Sequence, residues 1–162
     1  MKRILAMQNT IMGKSIEEEI SQKKFRNSFH KIQLNILFTA GWIESHHLEV
    51  FKKYTISPQQ YNVLRILRGS NPLPCSIQLI RSRMLDKMSD TSRIVVRLQK
   101  IGLVNRATNL KDRRSAQISI TQKGLSLLRD MEPEESNFDN LASNLSSDEA
   151  DQLSLLLDKL RD

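Results

Sequence analysis

A chain of 162 residues, 39% hydrophobic and 27% charged, is long enough to bury one domain's core without disulfide or metal staples. The single cysteine, Cys75, excludes an intramolecular disulfide and fits a reducing cytoplasm. The net charge of +7 is unevenly spread: residues 58–124 carry thirteen Lys/Arg against three Asp/Glu, whereas residues 125–162 carry three against ten. A basic excess concentrated in the middle of the chain suits a polyanionic partner; a solvated basic face with no partner is the competing reading.

The start, Met1 to Met7, is basic and then briefly apolar, but Gln8, Asn9 and Thr10 interrupt the run too early for a secretory signal core. Residues 1–15 lack a period and read as a mobile arm. No stretch reaches the roughly 20 apolar residues that span a bilayer. A soluble, cytoplasmic protein without a membrane partner is expected. From Ile16 to about Val50 a helical pattern runs, opened by a capping box of Ser15 and Glu18 and by the acidic Glu17–Glu19. Gly41 marks a bend or a close contact within it. This helix is longer than a small domain needs, so part of it should pack on something else.

Ser57-Pro58 starts a second helix, with Pro at its first position and Tyr61, Val63, Leu64, Ile66 and Leu67 inward; it stops at Gly69-Ser70-Asn71-Pro72. A short helix over about Ser76–Met84 carries Ile77, Leu79 and Ile80 inward. A turn over Leu85–Met88 leads to a helix over about Ser89–Ile101, which Gly102 ends. The runs Leu103–Thr108 and Ser115–Thr121 read as a hairpin, because Ala116, Ile118 and Ile120 alternate with polar residues. Thr121 starts another helix with Leu125, Leu127, Leu128 and Met131, which Pro133 should break or kink. The capping box Ser146-Ser147-Asp148-Glu149 opens a last helix with Leu153, Leu155, Leu156, Leu157 and Leu160. The fold class is mainly α with a small β-hairpin wing.

The helix over Ser89–Ile101 carries the functional signal. At about 100° per residue, with Arg93 at 0°, Ile94, Val95, Leu98 and Ile101 fall between about 80° and 200°. Ser89, Arg97 and Lys100 fall within about 40° of Arg93. One face is therefore a core, and the other offers arginine forks and hydroxyls suited to guanine edges and phosphates. Val96 is placed to touch a thymine methyl. A short helix, a turn and this helix have the spacing of a helix-turn-helix, whose second helix enters the major groove. The hairpin after it carries Lys111, Asp112, Arg113 and Arg114 at its tip. A thin arginine-tipped ribbon can reach a narrow minor groove, with Asp112 orienting an arginine.

Three stretches resemble the MarR family of bacterial winged helix-turn-helix transcriptional regulators. They are Leu98-Gln99-Lys100-Ile101-Gly102-Leu103-Val104-Asn105-Arg106, the wing run from Asp112 to Gly124, and Ser57-Pro58-Gln59-Gln60-Tyr61-Asn62-Val63-Leu64. The resemblance covers roughly residues 25–162. It implies an obligate homodimer whose first and last helices interlock, two recognition helices in successive major grooves, and a regulator of double-stranded DNA in the nucleoid. It also implies that Arg114 is the minor-groove arginine, Asp112 its partner, and Ser92 and Arg93 the base- and phosphate-contacting positions. Residues 16–56 then form a dimerisation helix and linker, 57–124 the DNA-binding region and 125–162 the C-terminal dimerisation helices, with 16–162 as one compact domain. The turn over Met84–Met88 is slightly longer than the family's.

Regulators of this family often respond to aromatic acids, oxidants or metals. The family's oxidant sensors keep their cysteine in the first helix, where this chain has none, so Cys75 is expected to be buried or inert. Adjacent His46 and His47 point apart on a helix, and with His30 they form no metal set. Trp42, Tyr54 and Tyr61 are candidates for a crevice taking a small aromatic or amphipathic effector, with core packing as the competing role. No Ser/His/Asp set, phosphate-cradling glycine loop or metal-ligand cluster is spelled out, so no enzyme chemistry, cofactor or metal is expected. The alternative from another class is a winged-helix module that binds protein and not DNA.

Overall fold

The computed structural model describes residues 13–108 and 116–162; residues 1–12 of the expected N-terminal arm and the wing tip, with Lys111, Asp112, Arg113 and Arg114, lie outside the described residues. The chain divides into two compact units, the first ending at His46 and the second spanning His47–Asp162.

The expected long helix from Ile16 is two, the second of which runs past His46. Helix α1, Ile16–Glu19, has the predicted capping box: the Ser15 N–H donates to the Glu18 carboxylate at 2.7 Å and the Glu18 N–H returns to Ser15 Oγ. It stops after one turn because Ser21 adopts φ +52°, a left-handed conformation that ends a helix. A fresh start follows where Asn27 Oδ1 accepts the His30 N–H at 2.9 Å, opening α2, Ser28–Lys53. Gly41 lies inside α2, and a Cβ there would meet nothing within 4 Å, so close approach is not its role.

The second unit holds the core. Helix α3, Pro58–Ser70, begins as expected at Ser57-Pro58, with Pro58 in its first turn; Ser57 is the N-cap and forms a capping box with Gln60, and the helix sinks Val63, Leu64 and Leu67. Strand β1, Cys75–Ser76, leads into α4, Ile77–Arg83, then α5, Thr91–Lys100, capped by Asp90. Gly102 at φ +75° lets the chain reverse after α5, with the Leu103 N–H donating to the Leu98 carbonyl at 3.0 Å. Strands β2, Val104–Thr108, and β3, Ala116–Ile120, form the hairpin in register Val104↔Ile120 to Thr108↔Ala116. The sheet is not the hairpin alone: β1 pairs antiparallel with β3, Cys75 opposite Ile118, giving the order β1-β3-β2. Cys75 is thereby buried.

Helix α6, Gln122–Asn140, runs through Pro133 as one helix, so of the expected break or kink the break does not occur. The proline removes one N–H from the ladder, but Leu128 and Met131 on its N-terminal side are sunk in the core. Beyond them, Glu132, Glu134 and Glu135 form ion pairs with Arg68, Lys53 and Arg65. Gly124 in the first turn is required, since a Cβ would lie 2.5 Å from the Leu103 carbonyl oxygen. Helix α7, Ser147–Leu160, has the predicted Ser146–Glu149 capping box and buries none of its residues. Around Leu64, Leu67, Ile80, Leu98 and Ile118 the second unit closes one core; Leu79, expected inward, is 38% exposed because Ile80 takes the inner position.

Candidate nucleic-acid interface

Helix α5 separates its residues as a wheel requires. Val95 and Leu98 are fully buried, Thr91 nearly so, and Ile94 and Val96 are half-buried. Ser92, Arg93, Arg97 and Lys100 are exposed. Ile101, placed on the core face by the wheel, lies just past the helix and is 43% exposed. The Asp90 carboxylate accepts the Arg93 N–H at 3.0 Å and stands 3.9 Å from Arg93 Nε, so one acid caps the helix and pairs with its first arginine.

Ser89, expected on the helix, lies in the turn before it. Its hydroxyl donates to Asp86 at 2.6 Å, and the Met88 N–H donates to the same carboxylate at 2.9 Å. These bonds, the Ser89 hydroxyl first, hold the Asp86 carboxyl below its ordinary value. The Leu85 N–H donates to Asn62 Oδ1 at 3.0 Å, and Lys87 Nζ to the Ser82 carbonyl at 2.7 Å. Met84 is buried beneath, receiving the Thr91 hydroxyl on its sulfur. The turn over Leu85–Met88 is thus pinned to α3 and α4, and it fixes where α5 begins. Leu85 and Met88 stand in solvent on it.

A cleft of about 310 Å³ opens between the start of α3 and α5, lined by Ser57, Gln59 and Gln60 on one side and Asp90, Arg93 and Arg97 on the other. Sequence reasoning missed the glutamines as site residues. The helix start at Ser57-Pro58 was legible; the Ser57–Gln60 capping box and its nearness to Arg93 and Arg97 were not, and the nearness is a tertiary fact.

At the base of the wing, the Thr121 hydroxyl donates to the Gly102 carbonyl at 2.8 Å and Lys123 Nζ to the Ile101 carbonyl at 2.8 Å. They tie the end of α5 to the start of α6, so the hairpin leaves a fixed root.

The aromatic candidates fall in separate settings. Trp42 lines a cleft of about 260 Å³ in the first unit with Lys14, Glu19, Asn35 and Phe38, and its ring packs on His46 at 4.4 Å. In the second unit, the Tyr54 hydroxyl donates to the Asp130 carbonyl at 2.8 Å and that of Tyr61 to Glu135 at 3.1 Å. Burial raises the Tyr61 phenol above its ordinary value, opposed by the Arg65 guanidinium that donates to it. Among the described residues no cluster of His, Cys, Asp and Glu could hold a metal, and no helix is long and apolar enough to cross a membrane.

The MarR family model matches residues 56–116, from the cap of α3 into β3. The chain is 30% identical over 118 residues to the HTH-type transcriptional regulator YkoM of Bacillus subtilis, covering 72% of this chain and 75% of YkoM. The chain belongs to the MarR family. The MarR transcription factor of Planctomyces limnophilus superposes with TM-score 0.64 at 27% identity, over 85% of this chain and 98% of that one. A mutant E. coli MarR, solved in complex with operator DNA, superposes with TM-score 0.74 at 20% identity, over 85% and 99%, and shares the fold. Membership makes this chain a winged-helix regulator and sets it apart from enzymes on family grounds. The departure from a plain hairpin wing, β1 added to β3, belongs to the same three-stranded architecture.

Proposed function

We propose that this MarR-family chain binds duplex DNA sequence-specifically as a homodimer on a pseudo-palindromic operator, represses transcription there, and is released by a small aromatic or amphipathic effector. The observation that carries the DNA-binding part is α5: Ser92, Arg93, Arg97 and Lys100 stand exposed on a helix whose opposite side, Val95 and Leu98, is sunk in the core. Such a helix has its donors in water and its orientation fixed by packing, which a recognition helix needs. Residues 57–124 read the duplex: Arg93 and Ser92 meet base edges and phosphates, and Val96 meets a thymine methyl. Ser89, held by Asp86, supports the start of the helix. On the wing, Lys111, Arg113 and Arg114 enter the minor groove, with Asp112 orienting Arg114.

The exposed leucines of α7 and the apolar face of α2 supply the dimer interface, with a twofold axis that a pseudo-palindromic site mirrors. Repression follows from exclusion, because a dimer seated on two major grooves leaves no room for another protein on that stretch. The cleft beside Trp42 supports the effector reading: Phe38 and Trp42 offer an aromatic wall and Lys14 a cation. Function on chromosomal DNA implies a nucleoid-associated protein of the cytoplasm.

Fluorescence anisotropy on a duplex selected from a random library, and on its scrambled counterpart, tests this at several salt concentrations. Arg93→Ala should cut the preference for the selected duplex by about 1–3 kcal/mol. Arg114→Ala should weaken both duplexes and reduce the salt slope by about one. Asp112→Ala should behave as a milder Arg114→Ala. Unchanged affinity in all three variants would reject these faces and favour a module that binds protein.

A further inference from the structure

The cleft between the start of α3 and α5 has hydrogen-bond donors on both walls, with Ile94 and the carboxylate of Asp90 beside them. Gln60 Oε1 accepts the Ser57 N–H at 2.8 Å, while the Gln60 N–H donates to Ser57 Oγ at 3.2 Å. That reciprocal box fixes the Gln60 amide: its oxygen is committed, and its Nε2 hydrogens have no partner among the described residues. Ser57 Oγ has accepted one bond and keeps its hydrogen to give. Gln59, half-buried beside them, likewise makes no hydrogen bond from its side chain among the described residues. The opposite wall supplies the guanidinium groups of Arg93 and Arg97. The one acid there, Asp90, is occupied by the Arg93 N–H and lies near Arg93 Nε.

A cavity rich in donors and net positive fits a group that only accepts and carries negative charge. A phosphodiester is such a group; a guanine edge also accepts in the major groove but carries no charge, and the other base pairs add donors. We infer that this cleft seats one DNA backbone phosphate per subunit, gripped between Gln60 and Ser57 on one side and Arg97 on the other. The inference rests on the duplex-binding function proposed above and refines it. Arg97 is a backbone clamp that sets the register of α5, and Gln60 is a DNA-contacting residue contributed by α3. Because the amide is held by the capping box before DNA arrives, little side-chain freedom is lost on binding.

Gln60→Glu isolates the claim. Glutamate keeps the oxygen that accepts the Ser57 N–H, so the capping box survives and the melting temperature should hold or rise. It replaces the Nε2 donor with a carboxylate oxygen facing the phosphate. Affinity for both the selected duplex and its scrambled counterpart should fall about tenfold or more, since a bond to a charged group is replaced by repulsion. Single methylphosphonate substitutions along the selected duplex then locate the contact. At one phosphate in each half-site, neutralisation should shrink the wild-type-to-variant ratio toward one, and at every other phosphate the ratio should stay large. The same ratio at all positions, or a variant that binds like wild type, would overturn the clamp. Replacing chloride by millimolar inorganic phosphate at fixed ionic strength should leave wild-type affinity unchanged. Competition by that ion would assign the cleft to free oxyanions and overturn the backbone assignment. A wild-type protein that selects no duplex at all would instead defeat the DNA-binding function itself.

Discussion

Helices α5 and α7 are both amphipathic, yet they resolve their apolar faces in opposite ways. In α5, Val95 and Leu98 are wholly buried and the basic side faces water. In α7, no residue is buried, and Leu153, Leu155, Leu156 and Leu160 stand 44–70% exposed. The basic helix is finished within one chain and offers polar groups to a charged partner. The acidic helix is unfinished and offers leucines, which water does not reward. A single chain therefore displays a basic surface suited to a polyanion and an acidic one with exposed leucines, and the charge division between residues 58–124 and 125–162 puts them on different stretches of the chain.

The strongest way to break this contrast is to make α7 acceptable to water. In Leu156→Asp/Leu160→Asp the leucine face is charged while α5 is untouched. Light scattering should report a dimer for wild type and a monomer for the double variant. Affinity for the selected duplex should drop about 10²–10⁴-fold, because two recognition helices no longer bind as a linked pair. A dimer that survives the change would show that α7 is not the interface.

A sharper version removes equal side chains from the two helices and compares stability. Leu98→Ala empties a fully buried site and should cost about 2–5 kcal/mol of unfolding free energy in urea. Leu155→Ala, 70% exposed in the single chain, should cost under about 0.5 kcal/mol once the Leu156→Asp/Leu160→Asp change has made the protein monomeric. If Leu155→Ala proves as costly as Leu98→Ala, α7 is covered more fully than its exposure implies.

The contrast was largely legible in the residues. The periodic placing of Val95 and Leu98 against Arg93, Arg97 and Lys100, the helix start at Ser57-Pro58 and the box Ser146–Glu149 are local signals, and local physics honours them. What was not legible depends on distant partners or on single dihedrals. The pattern from Ile16 gave no sign that Ser21 would turn left-handed or that Asn27 would cap a new helix. Two residues, Cys75 and Ser76, are too few to show a strand period, and only β3 makes them one. Ser89 looked helical until Asp86 captured its hydroxyl, and Pro133 looked like a break until its flanks were anchored on both sides. The phosphate cleft escaped for the same reason, because nothing local relates Gln60 to Arg97.

The smallest effect concerns how each helix start is held as pH falls. Glu149 is kept below its ordinary value of 4.5 by the Ser146 backbone N–H first and the Ser146 hydroxyl second. Asp86, in the turn before α5, is kept below 3.8 by the Ser89 hydroxyl and then the Met88 N–H. A carboxyl depressed in the folded state contributes its stability fully above its unfolded value and loses it as pH drops through the folded one. The start of α7 should therefore begin to loosen below pH 4.5 and the turn before α5 only below 3.8, with neither changing above 4.5. Both groups are solvent-exposed, so the loss should be local and not a global unfolding. Carboxyl and amide shifts followed by NMR read it directly: Glu149 and the Ser146 N–H should move together. In Glu149→Gln, whose amide oxygen still accepts from Ser146 without titrating, the Ser146 signal should stay flat across the same range. A Glu149 midpoint at or above 4.5 would mean that the box does not hold its charge, and α7 would then start without the electrostatic anchor that its sequence spells.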